Sequence, residues 1–150
     1  MWPFKKRFPP KGELVLEPRW SLDQGEYAGR PLLLRVNRGI DAAIGHPDYS
    51  HQVGVAIPLR APDENGFPSQ EEGEQLGRIE DLLTERLEAA RQCIHVATVS
   101  TGGMREFVFY SSDPASTHAL LEQLAADVST HEVQHIVQPD PKWKAYRKFA

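Results

Sequence analysis

Ile94-His95-Val96-Ala97-Thr98-Val99-Ser100, then Thr101-Gly102-Gly103-Met104, then Arg105-Glu106-Phe107-Val108-Phe109-Tyr110-Ser111 is the stretch on which the fold turns. Both flanks are rich in β-branched and aromatic residues. The glycine pair between them accepts the positive φ that a two-residue hairpin turn requires. The reading is two antiparallel strands, Ile94–Ser100 and Arg105–Ser111. On the second strand Arg105, Phe107 and Phe109 alternate with Glu106, Val108 and Tyr110, so each face carries large apolar groups. A single helical layer covers only one of the two sets.

Working outward, Asp113-Pro114 pairs an N-cap with a proline at the first helical position. The helix it opens turns Leu120, Leu121, Leu124, Ala125 and Val128 inward. Before the hairpin, Ser69 and Glu72 have the spacing of a capping box. Leu76, Ile79, Leu83, Leu87 and Ala90 follow at helical intervals. Gly73 and Gly77, which weaken that helix by about 1 kcal/mol each relative to Ala, suggest close packing there. His51–Leu59 reads as a strand with His51, Val53, Val55, Ile57 and Leu59 on one face and Gln52, Gly54, Ala56 and Pro58 on the other. Leu32–Val36 is a further strand, Glu13–Glu17 a short one, and Trp20 to Pro31 a turn-rich segment. Val133–Gln138 reads as a closing strand, after which Trp143 and Tyr146 anchor the last piece.

The order is β-β-α-β-β-α-β, with Glu13–Glu17 as one added strand at the start. It predicts an α+β fold: a two-layer α/β sandwich, a ferredoxin-like variant with a mainly antiparallel sheet and two helices on one face. The chain divides into a basic N-terminal tail, residues 1–12, and one domain, residues 13–150.

Composition sets limits on function. One cysteine, Cys93, excludes an internal disulfide and favours a reducing compartment. No apolar run reaches the roughly 18 residues that span a bilayer, and the basic start lacks an apolar signal core, so the expected location is cytoplasmic. The net charge of −4 is uneven: residues 1–11 and 142–148 each carry four basic residues and no acid, leaving nine arginines against all 21 acids in between. An acidic body repels phosphate backbones, which argues against a nucleic-acid partner. The basic ends read as solubilising termini, or as contacts to an acidic partner or membrane surface.

His131-Glu132-Val133-Gln134-His135 matches the H-E-x-x-H pattern. On a helix its two histidines would hold zinc and the glutamate would activate the bound water. As a strand, which the β-branched content and the flanking Ser129-Thr130 and Pro139 favour, the segment would hold the two histidines about 13 Å apart, too far to share an ion. The expectation is an extended segment and no metal or other cofactor, with a zinc-dependent hydrolase built on His131, Glu132 and His135 as the alternative. His46, His51 and His118 read as solvated surface residues and Cys93 as a small buried hydrophobe.

Four blocks resemble the bacterial DUF695 family, a domain of unknown function. They are Trp20 through Tyr27 to Arg30-Pro31; Asn65-Gly66-Phe67-Pro68 with Glu72, Leu76 and Ile79-Glu80-Asp81; Thr98, Thr101-Gly102-Gly103 and Arg105 to Phe107-Val108-Phe109-Tyr110; and Asp140-Pro141-Lys142-Trp143-Lys144-Ala145-Tyr146. The resemblance covers about residues 13–150. It implies no chemistry. Members joined to a domain similar to the ribonuclease E inhibitor regulator B point, by association only, to a regulatory, protein-binding role.

The leading expectation is therefore a non-catalytic regulatory or interaction module with a protein partner or a second copy of itself; a small ligand on an open sheet face is the further alternative. The candidate binding residues are Arg105, Phe107, Phe109, Tyr110, Trp20 and Trp143, on the face turned away from the helices and its rim. The competing reading is that the N-terminal segment or the Trp143–Phe149 end folds back over that face.

Overall fold

The computed structural model describes residues 8–150. Six strands form one antiparallel sheet: β1 (Trp20–Tyr27), β2 (Arg30–Asn37), β3 (His51–Pro58), β4 (Cys93–Thr101), β5 (Met104–Ser111) and β6 (Gln134–Pro139), in the order β1-β2-β4-β5-β3-β6. Helix α1 (Gln70–Leu87) links β3 to β4 and α2 (Pro114–Asp127) links β5 to β6, and a short α3 (Lys144–Phe149) follows. Strands β3 and β4 run parallel with β5 inserted between them, and β5 and β6 with β3 between. Two helical crossovers thus interlock while every ladder stays antiparallel.

Local chemistry sets the element ends. Gly102 and Gly103 sit at φ 59° and 79°, closing the β4–β5 hairpin. Ala28 and Gly29 do the same between β1 and β2. The Ser69 hydroxyl accepts the Glu72 N–H at 3.2 Å and caps α1; the Asp113 carboxylate accepts the Ser116 N–H at 3.0 Å and caps α2.

The sheet carries a core on each face. On the first, Leu76, Ile79, Leu83 and Leu87 of α1 and Leu121 and Leu124 of α2 pack on Val53, Val55, Ile57, Phe107 and Phe109. On the second, Val36, Ile94, Val96, Ala97, Val108 and Tyr110 lie under Leu14, Ile40, Tyr49, Trp143 and Tyr146. A register shift between His95 and Ala97 marks a β-bulge. The extra residue puts Val96 and Ala97 together on the second face, leaving His95 and Thr98 on the helix-covered one.

Several expectations are corrected. The added first strand is Trp20–Tyr27, not Glu13–Glu17; Lys11–Glu13 is a turn of 3-10 helix, and the segment expected to be turn-rich pairs along its length with β2. A third helix exists, and with the N-terminal segment it lays a partial third layer over the face turned away from α1 and α2, as the competing reading had it. The capping box is half made: the Glu72 side chain does not return to the helix start. A Cβ at Gly73 or Gly77 would meet nothing within 4 Å, so neither marks close packing. Ala90 lies beyond α1 at φ 52°. Of the expected tail, residues 1–7 lie outside the described residues. The remainder lies against the body, with the Phe8 ring on His46 (5.1 Å between centroids) and the Pro9 carbonyl 2.7 Å from His46 Nε2. His46 is therefore buried rather than solvated.

Candidate functional site

Strand β1 is one edge of the sheet, β6 being the other, and among the described residues it pairs only with β2. Along it Leu22 is 64% exposed and Tyr27 67%, while Trp20 is partly covered. The Arg38 N–H donates to the Arg19 carbonyl at 2.6 Å and fixes the phase of the ladder. Alternation from that bond turns the backbone groups of Ser21, Asp23 and Gly25 toward β2 and those of Trp20, Leu22, Gln24 and Glu26 outward. An edge of this kind is a template for a further strand unless something blunts it.

A polar groove runs from β1 along the first face to α1. Leu22, Leu33, Arg35, Glu80, Thr98, Ser100 and Arg105 line it, enclosing about 250 Å³. The cross-strand registers align these residues: Leu22 opposite Arg35, Arg35 opposite Thr98, Ser100 opposite Arg105. Arg35 donates to Glu80 Oε1 at 2.5 Å and to Thr98 Oγ1 at 3.3 Å, and its guanidinium lies over the Trp20 ring, 5.3 Å from the centroid. Arg105 donates through Nε to Ser100 Oγ at 3.0 Å. Among the described residues no carboxylate lies within ion-pair distance of Arg105. Burial and the like charge of Arg35 both pull the Arg105 pKa down. The groove thus holds two guanidiniums against one carboxylate, an arrangement that favours an incoming anion.

Tyr27 also borders a second groove, on the opposite face, with Leu32, Val99, Thr101, Met104, Glu106 and Phe149, of about 360 Å³. Its lining is apolar apart from Thr101 and Glu106, and burial raises the Glu106 carboxyl pKa.

The six candidate residues do not share one surface. Phe107 and Phe109 are sealed in the helix-side core. Tyr110 and Trp143 are sealed on the other face, stacked at 3.9 Å with their planes 6° apart, and the Trp143 indole N–H donates to the Tyr49 carbonyl at 2.8 Å. The Tyr110 hydroxyl donates to Asp140 Oδ2 at 2.7 Å, and Asp140 accepts the Lys144 and Ala145 N–H groups at the start of α3. These four side chains hold the fold. Arg105 and Trp20 lie on the helix side, on and beside the polar groove. Sequence reading missed Arg35, Thr98, Ser100 and Glu80. The available signal was Arg35, a charge in the otherwise aliphatic strand Leu32–Val36.

The H-E-x-x-H histidines turn to different partners. His131 Nε2 meets Glu72 Oε2 at 2.6 Å in the interior, with Nδ1 3.0 Å from Thr130 Oγ1. Glu132 is exposed, and His135, on β6, faces His118 at 2.9 Å. The two cannot hold one ion, which overturns the hydrolase reading built on His131, Glu132 and His135. Glu72 also accepts the N–H groups of Arg60 (2.6 Å) and Ala61 (3.2 Å). Cys93 is buried with Sγ 3.3 Å from Thr117 Oγ1, and burial pushes its thiol pKa up, as suits an inert core residue.

The arrangement defines an α+β domain with a six-stranded antiparallel sheet, a helix-packed core, and grooves flanking one exposed edge. Among the described residues no helix is long and apolar enough to cross a membrane. The chain belongs to the DUF695 family, a family of unknown function, whose model matches residues 18–150. Neither a curated protein nor a solved structure matches it.

Proposed function

We propose that the domain is a non-catalytic regulatory module that binds an extended, acidic segment of a partner protein along β1. The observation that carries this reading is the outer edge of β1, unpaired among the described residues, with Leu22 and Tyr27 exposed beside the Arg35–Arg105 groove. An added strand would satisfy the outward backbone groups of Trp20, Leu22, Gln24 and Glu26. Its apolar residues would cover Leu22 or Tyr27, and a carboxylate would reach the two guanidiniums. β1 itself carries Asp23 and Glu26 and no basic residue. Pairing with a second copy would bring like charges together, which favours a different chain.

The test uses nitrogen-15-labelled protein and a capped peptide of alternating valine and glutamate, with a valine–lysine peptide as control. The acidic peptide should shift the amides of Trp20, Leu22, Gln24 and Glu26 and the side-chain signals of Arg35 and Arg105. Gln24→Pro removes an outward N–H without breaking the β1–β2 ladder, so it should abolish the shifts in a folded protein. Shifts centred elsewhere, or unchanged by Gln24→Pro, would overturn the reading. Concentration-dependent dimerisation of the parent, lost in Gln24→Pro, would assign the edge to self-pairing instead.

A second reading rests on the groove around Glu106, whose 360 Å³ falls within the range of small-ligand pockets. A compact apolar ligand there would perturb Met104 and Phe149 and leave the β1 edge amides unmoved.

A further inference from the structure

We propose that His118, Glu122 and His135 form a binding site for a divalent transition-metal ion of the zinc type. The site is distinct from the β1 edge and does not rest on the interaction reading. His118 and Glu122 stand one turn apart on the outer surface of α2, where residues at i and i+4 are neighbours. His135 projects from β6 toward the helix layer; its strand partner is the core residue Val55, and α2 packs on β6. His135 Nε2 lies 2.9 Å from His118 Nδ1, and His118 Nε2 lies 3.5 Å from Glu122 Oε1. One ligand atom from each residue falls within a sphere of contacts no wider than 4.8 Å.

The chemistry of the set selects the ion. Two imidazoles and one carboxylate suit zinc, cobalt, nickel or copper, whereas calcium demands six or more oxygens. Two imidazole nitrogens on a tetrahedral zinc, each at about 2.0–2.1 Å, stand about 3.3 Å apart. The observed pair needs to open by only a few tenths of an ångström, and the His118 and Glu122 side chains are 59% and 64% exposed and free to adjust. An imidazole ligates through the lone pair of its neutral form, so metal and protons compete for these two side chains. Solvent completes the coordination. A bound ion would cross-link α2 to β6, both elements of the crossover that closes the sheet.

The experiment uses the full chain without a polyhistidine tag, stripped by chelator and titrated near neutral pH with zinc by calorimetry and with cobalt by visible spectroscopy. One ion should bind per chain, weakening as the pH falls and protons compete for the imidazoles. His118→Ala and His135→Ala should each weaken binding at least about tenfold, and His51→Ala should leave it unchanged. In the parent, paramagnetic shifts from cobalt should centre on residues around His118 and His135, a readout independent of how any variant folds. Absence of saturable binding below about 1 mM, shifts centred elsewhere, or binding that survives both substitutions would overturn the proposal.

Discussion

His131 Nε2 and Glu72 Oε2 meet at 2.6 Å inside the protein, joining the first turn of α1 to the chain that enters β6. The same carboxylate takes the Arg60 and Ala61 N–H groups, so it pins three segments distant in sequence. Burial raises the Glu72 pKa, but the hydrogen bonds from Arg60, His131 and Ala61 outweigh it and hold the group below its ordinary value. Its stabilisation is therefore present above about pH 4.3, the unfolded value, and is lost as pH falls through the lower folded value. His131→Ala leaves the carboxylate without one partner and should cost about 3–5 kcal/mol, read by urea denaturation at neutral pH. A cost within about 0.5 kcal/mol, the range of surface substitutions, would show that the pair does not hold these segments together.

His95 makes the same demand on pH over a higher interval. It is buried, stacked on Phe109 at 4.5 Å between centroids, with Nε2 3.1 Å from the Ala97 carbonyl. Burial, then the charge of Arg35, push its pKa down to about 3. Below about pH 6.5 the unfolded chain takes a proton that the folded site refuses, so stability falls as pH drops. The expected slope is about 1.4 kcal/mol per pH unit between roughly pH 6 and 4. His95→Gln keeps a side-chain donor and removes the titration. Its denaturation midpoint should fall less steeply than the parent's over that interval; parallel curves would refute the account.

The two cores should fail separately when truncated. Leu83→Ala, beneath α1, should cost about 2–5 kcal/mol, and Trp143→Ala, which removes the plate stacked on Tyr110, about 3–5 kcal/mol. Amide exchange should then distinguish them. Trp143→Ala should release α3 and the N-terminal segment ahead of the sheet, whereas Leu83→Ala should loosen α1 first. An unchanged unfolding midpoint for Leu83→Ala would mean that α1 does not face the sheet.

Elements written in local chemistry were legible in the sequence. The Gly102-Gly103 turn, the Ser69 and Asp113 caps and the leucine stripe of α1 need only their neighbours to act, and each is where the residues place it. β1 was not legible: Trp-Ser-Leu-Asp-Gln-Gly-Glu-Tyr at 20–27 is exposed on both faces, so it carries no alternation to read, and Asp23 and Gly25 read as turn residues. The bulge at Val96 left no mark either, and it decides that His95 faces the helices. Of the candidate surface residues, Arg105 and Trp20 lie at a groove, while Phe107, Phe109, Tyr110 and Trp143 went to packing. Large aromatics serve either end equally well, and only the chain that folds over them decides between the two.

Gly39 offers the sharpest test of how β1 is held. It follows β2, and its N–H and that of Arg19 both donate to Asn37 Oδ1, at 3.0 and 3.1 Å. A Cβ at Gly39 would sit 1.6 Å from the Glu17 carbonyl oxygen and 2.7 Å from its carbon. The obstacle is backbone, so no rotamer change relieves it; either the lead-in to β1 or the end of β2 must move. Elsewhere the same substitution gains stability by restricting the unfolded chain: Gly73→Ala and Gly77→Ala in α1 should each add up to about 1 kcal/mol. Gly39→Ala should have the opposite sign, a loss of about 1–3 kcal/mol, with faster amide exchange at the Arg19–Arg38 end of the β1–β2 ladder and unchanged protection at Tyr27 and Arg30. A neutral or stabilising Gly39→Ala would mean that the chain at Glu17 yields freely, and the close approach would then have no part in fixing the edge strand.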